Sequence, residues 1–190
     1  MTRKQHVIRA VAGTLPLIGL AFVLSSHGGA SPSAAELRLR DDCDPATFNA
    51  AVAPGACVGN GGTTFPKFIQ ELTEDKIAGA WRINPDSTGV DPGQPTLLVS
   101  RGGELHTFTR VAKFGGGIVD VLNQLSGNNV VAPECQGMDP AATTMGSIAL
   151  FPGAVVNGPT GATSALPLGT THFQCCIHPW MRTTIEVKKH

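Results

Sequence analysis

Tyrosine is absent from this chain, charge is sparse, and no apolar run is long enough to cross a membrane. Charged side chains make up 15% of the 190 residues and aromatic ones 5%. The 14 basic and 14 acidic residues balance, and no basic run stands out, which argues against nucleic acid as a partner. The longest apolar stretch, Ala10–Leu24, is 15 residues, short of the ~20 needed for a comfortable span. No helical periodicity is sustained outside Pro66–Leu72, and no internal repeat is present. Gly115-Gly116-Gly117 is followed by no Lys-Ser/Thr pair, so it is not a phosphate loop. Asp41, Asp42 and Asp44 lack the Gly and Glu of an EF-hand, and read as a solvated acidic turn.

The first 35 residues carry Arg3, Lys4 and Arg9 and no acid. A basic start, a 15-residue apolar run and the small residues Ser33-Ala34-Ala35 form a secretory leader, with cleavage expected near Glu36. The remainder has 11 basic against 14 acidic residues, a net of −3. Export to the periplasm or beyond implies an oxidising compartment and no stable membrane span once the leader is gone.

Residues 36–62 read as an irregular segment, with Cys43 and Cys57 fourteen positions apart and a short helical turn at Pro45–Val52. From residue 63 onward, short apolar runs alternate with Gly, Pro, Asn and Asp. Trp81 and Ile83 against Ala80 and Arg82, and Ile185 and Val187 against Thr184 and Glu186, show the period of two of half-buried strands. Asn84-Pro85-Asp86, Asp91-Pro92-Gly93 and Arg101-Gly102-Gly103 punctuate them as turns. About seven short strands separated by turns predict an all-β, antiparallel sandwich over 63–190. Phe114–Asp139 interrupts it as a long inserted loop.

The chemistry concentrates in Phe173-Gln174-Cys175-Cys176-Ile177-His178-Pro179-Trp180-Met181-Arg182. The spacing C-x-x-H-x-x-M sets a thiolate, an imidazole and a thioether on one short loop. Soft sulfur donors suit Cu(I), imidazole serves both oxidation states, and a His₂Cys set with a weak axial Met is a copper pattern. A second histidine must come from elsewhere. After the leader only His106, His172 and His190 remain. His190 is terminal, and His172, three residues before Cys175 on a strand, points to the opposite face. His106 follows a glycine turn and opens a strand.

This loop resembles the ligand loop of the cupredoxins, the amicyanin type most closely, and the resemblance covers about Lys76–Lys188. It implies a Greek-key sandwich holding one copper ion through His106, Cys175, His178 and axial Met181, and passing single electrons to a redox partner the sequence does not name. It also implies that electrons leave through an exposed edge of His178, and that this imidazole is protonated and released in the reduced state. The 69 residues between His106 and Cys175 exceed what a small cupredoxin needs, which marks the inserted loop.

With Cys175 as ligand, Cys43, Cys57, Cys135 and Cys176 remain and allow three pairings. Cys43–Cys57 with Cys135–Cys176 is the economical one. The strand after His106 should carry Phe114 and the three glycines to the end far from the metal, whence the insertion returns along the flank. Trp81 reads as core packing; Trp180 either lies exposed at the metal edge or covers it.

Three functions compete: a one-electron copper carrier, a copper-handling module without redox duty, and a metal-free structural sandwich. Zinc is disfavoured because thioether is a poor zinc ligand. With no His-x-His pair after the leader there is no second copper centre, so a non-enzyme is expected.

Overall fold

A computed structural model of the chain describes residues 33–158 and 166–188. The described residues form two sheets. The first has the order β2-β1-β4-β7, from Arg82–Asn84, Ala35–Arg40, Thr96–Ser100 and Val155–Asn157. The second has the order β3-β9-β8-β5-β6, from Ser87–Val90, Arg182–Val187, Gly169–Gln174, His106–Val111 and Ser147–Leu150. The all-β sandwich expected from the strand pattern is present, but it is mixed: β1 runs parallel to β4 and β3 parallel to β9.

The stretch 36–62 is not irregular. β1 lies between two neighbours in the first sheet, and its Leu37 and Leu39 are wholly buried between exposed Arg38 and Arg40. A period of two in Leu37-Arg38-Leu39-Arg40 carried that signal. Ala35, the last residue of the expected leader, is the first residue of β1; residues 1–32 of that leader lie outside the described residues, as does His190. The helical turn expected at Pro45–Val52 is the helix α1, Pro45–Ala51. Asp44 caps it, its carboxylate accepting from the Thr47 amide and hydroxyl.

The stretch Pro66–Leu72, where the sequence shows a helical period, is helical. It belongs to α2, Phe65–Asp75, with Pro66 in the first turn and Phe68 and Leu72 buried on one face. α1 and α2 pack Phe48, Phe65, Phe68 and Trp81 into an aromatic cluster. None of the described helices is long and apolar enough to cross a membrane.

The insertion takes another course than expected. The glycines do not turn the chain at the far end. Phe114 already packs edge-on against His172, the Gly115 amide donates to Gln174, and the Ile118 amide donates to the Cys176 carbonyl. The chain therefore reverses just after β5 and is back beside Cys176 within seven residues of Val111. A Cβ on Gly117 would stand 2.0 Å from the Cys176 carbonyl oxygen, so only glycine permits this approach. The short helix α3, Asp120–Leu125, and the 3₁₀ turn Pro133–Cys135 complete the insertion. It covers the outer face of β5 and β8, where Val111, Ala132, Cys135 and Cys176 form a second small core.

Candidate metal centre

β5 and β8 pair antiparallel, with Thr109 opposite Gln174. Alternation along β8 then decides what each adjacent cysteine does. Phe173 and Cys175 face the main core, where Phe173 stacks on Phe108 at 4.4 Å. Cys176 faces the outer core and is bonded to Cys135; Cys43 is bonded to Cys57. Cys175 is the free cysteine, and it is fully buried. Its sulfur accepts from the Thr107 amide at 3.4 Å, and the Thr107 hydroxyl accepts from the Cys176 amide at 2.8 Å.

The loop that follows is closed by its own backbone. The Cys175 amide donates to the Met181 carbonyl at 3.0 Å, and the Met181 amide to the His178 carbonyl at 2.9 Å. Arg182 fastens it from below, donating to the Pro179 carbonyl at 2.7 Å and to Asn128 of the insertion. Met181 is fully buried in the same core cluster as Cys175.

His106 is set by the turn before it. Gly102 and Gly103 lie so close to Asp41 and Gly59 that a Cβ would come within 1.8 Å and 2.4 Å of them. The Asp41 carboxylate accepts from the amides of Cys43, Gly103 and Glu104 at 3.3, 2.8 and 3.1 Å. It also takes Nε2 of His106 at 2.8 Å, with both side chains wholly buried. Nε2 therefore carries its proton toward Asp41, and Nδ1 is the atom left facing Cys175.

Nδ1 of His106 and Nδ1 of His178 each lie 4.0 Å from the Cys175 sulfur. His106, Cys175 and His178 bring one ligand atom apiece within 4.8 Å of one another. Nε2 of His178 lies 3.7 Å from Glu104, whose carboxylate also accepts from the Trp81 indole. The electrostatics follow from this packing. Burial alone would raise the Cys175 thiol, but the two imidazoles hold it well below its ordinary range. Burial alone would lower His106; its bonds to Asp41 and the Cys175 sulfur push it up to about 10. Burial works against Asp41 too, and His106 with the backbone amides brings it down to about 2. Glu104 is raised by burial.

The donor set fits a metal ion. A nitrogen–sulfur separation of 4.0 Å is wider than a good direct hydrogen bond, and it matches two ligand bonds of ~2.0–2.3 Å meeting at a shared ion. Two imidazoles and a cysteine sulfur, with Met181 buried in the same core cluster, match copper in both common oxidation states. Asp41, Cys43 and Glu104 also lie close together, but the Cys43 sulfur is in a disulfide and both carboxylates face histidines.

Two expectations change here. His178 has almost no exposed edge. It is 3% exposed, covered by Phe68 of α2 at 6.3 Å, by Trp180 at 5.5 Å, and by Glu104. Trp180 thus covers the site rather than lying free at its rim. Asp41 is not part of a solvated turn: it continues the inward series Leu37, Leu39, and that spacing was the signal for it. His172 points away from the site and packs against Phe114, as expected.

No protein-family model matches the chain, and no curated protein matches it by sequence. The solved structures it is similar to are cupredoxins. A purple cupredoxin from Nitrosopumilus maritimus aligns with a TM-score of 0.41 at 12% identity, over 81% of this chain and 99% of that one. A mutant plastocyanin of a fern aligns at 0.37 and 19% identity, over 81% and 100%. A reduced amicyanin mutant aligns at 0.32 and 14%, over 54% and 70%. At such distances the roles of individual residues rest on this chain's own geometry.

Proposed function

We propose that this is an exported, mononuclear copper protein that carries one electron at a time and catalyses no reaction of its own. His106, Cys175 and His178 would hold the ion, with Met181 as the weak axial donor. The observation that carries this reading is the aim of two imidazole Nδ1 atoms at one buried thiolate. Bound there, copper would supply a one-electron couple between Cu(I) and Cu(II).

The chain's part is to keep the donors still. Asp41 fixes the tautomer and tilt of His106, the Thr107 amide steadies the thiolate, and two backbone bonds hold the loop from Cys175 to Met181. His106, Cys175 and Met181 have no exposure and His178 almost none, which leaves no room for a substrate at the donors. That burial also favours retention over delivery, because release would require Phe68 and Trp180 to move. Two disulfides and the basic, apolar leader suit an oxidising compartment outside the cytoplasm.

Voltammetry of the copper-loaded protein should give a reversible one-electron wave, and copper should raise the melting temperature by mass action. His106→Ala should lose most of that rise. Equal melting temperatures with and without copper, and no wave, would refute the reading.

A further inference from the structure

The outer face of the first sheet carries arginines that sequence order scatters. Arg38 and Arg40 are the exposed alternates of β1. Arg82 of β2 stands directly opposite Arg40 across the antiparallel pair. Arg101 follows β4, and its amide continues the ladder to Leu39 at 2.7 Å. Arg38, Arg40 and Arg101 line one shallow depression.

Only part of this charge is neutralised among the described residues. Arg38 has Glu36 at 2.6 Å. Arg82 donates to the Gly79 carbonyl. Among the described residues, Arg40 and Arg101 have no side-chain ion pair or hydrogen bond. Residues 1–32, 159–165 and 189–190 contain no Asp or Glu. Asp41 is turned inward to His106, and Asp42 accepts from the Thr63 hydroxyl at 2.8 Å. Like charges directly opposite on a sheet weaken it. In a chain of even net charge, such a cluster points to a counter-charge off the chain.

The position of the cluster names the occupant. Arg40 precedes Asp41, which holds Nε2 of His106. Arg82 follows Trp81, which donates to Glu104 beside Nε2 of His178. Arg101 opens the glycine turn whose Gly103 amide binds Asp41. Each of these three arginines is thus within two residues of a group that supports the outer side of a site histidine. We infer that this face docks the acidic surface of a one-electron redox protein, with guanidinium forks of Arg40, Arg82 and Arg101 taking its carboxylates. This rests on the copper reading above. Docked so, the partner's acidic surface lies on the outer face of the strands whose neighbouring inward residues, Asp41 and Trp81, support the two histidines, and one electron passes between the two metal centres with no atom transferred. Guanidinium matches carboxylate as a planar two-point contact, which favours a protein surface over a merely anionic one.

Two measurements test this. The reduced, copper-loaded chain is oxidised by hexacyanoferrate(III), an anion, and by tris(phenanthroline)cobalt(III), a cation; each takes up one electron. Combining Arg40→Gln, Arg82→Gln and Arg101→Gln should slow the anion about 10-fold or more at low salt, with the difference vanishing at high salt, and should speed the cation. Rates that are unchanged, or that fall alike for both complexes, would overturn the inference. The second measurement is titration of the full chain with short poly-L-glutamate, followed by amide shifts. These should concentrate at Arg38–Arg40, Arg82 and Arg101 and disappear in the triple variant. Binding to phosphatidylglycerol vesicles but not to polyglutamate would assign the face to a membrane and overturn the proposal. If the chain takes up no copper, the copper reading fails by itself, and the metal-free polyglutamate titration still decides whether an acidic surface docks here.

Discussion

The loop from Cys175 to Met181 and the stretch from Ala35 to Ile83 serve one site in opposite ways. The loop brings three of the four proposed donors within seven residues and closes on itself with two backbone bonds. The N-terminal stretch brings no donor. It supplies Asp41 to His106, Trp81 to Glu104, and Phe68 as cover over His178. Donors are confined in sequence because a small ion must meet them all. Support is dispersed because a carboxylate or a ring can arrive from any element that packs there.

The comparison breaks most visibly at the cover. Phe68 is 2% exposed and packs on Trp81, Phe48 and Trp180. Phe68→Ala should cost about 3–5 kcal/mol in denaturant unfolding of the metal-free protein. A loss under about 1 kcal/mol would mean that α2 is an appendage rather than part of the domain.

Asp41→Asn removes the charge that orients His106 and sets an amide donor among backbone donors. Copper affinity, read by competition with a chelator, should fall about 10–100-fold. The metal-free protein offers a second reading. Asp41 has a folded pKa of about 2, below its ordinary 3.8. A depressed carboxyl contributes stability that is full above the unfolded value and is lost as pH falls through the folded one. Wild-type stability should therefore decline from about pH 4 toward pH 2, and Asp41→Asn should flatten that decline. Identical acid profiles would remove Asp41 from the account.

The smallest effect has the opposite sign. Arg40 faces Arg82 in register, so Arg40→Gln should raise stability by about 0.2–1 kcal/mol. A loss of stability instead would mean that Arg40 has a partner on the sheet.

The candidate donors were legible because their chemistry is local: C-x-x-H-x-x-M can be read without knowing the fold, and His106 followed from the scarcity of histidine. The opposite fates of Cys175 and Cys176 were half legible, since alternation separates adjacent residues but does not say what covers each face. α2 was half legible: Pro66–Leu72 shows a helical period, with Phe68 and Leu72 four residues apart on one face, but its extension to Asp75 and its place over the site are set by packing. The inward place of Asp41 after Leu37 and Leu39 was legible, but its partner, and the role of Glu104, were hidden for a different reason. A carboxylate beside an imidazole leaves no spacing rule when the two lie 65 residues apart. The arginine face was invisible for the same cause, since pairing of β1 with β2 and β4 assembles it.

The central claim is that Cys175, and not its neighbour, binds copper. The most direct test is the visible spectrum of the Cu(II)-loaded protein in two variants. An intense thiolate-to-copper charge-transfer band should be present in wild type and absent in Cys175→Ser. It should persist in the paired variant Cys135→Ser with Cys176→Ser, which loses only the disulfide. A band that survives Cys175→Ser, or that is lost from a folded Cys135→Ser/Cys176→Ser protein, would contradict the account.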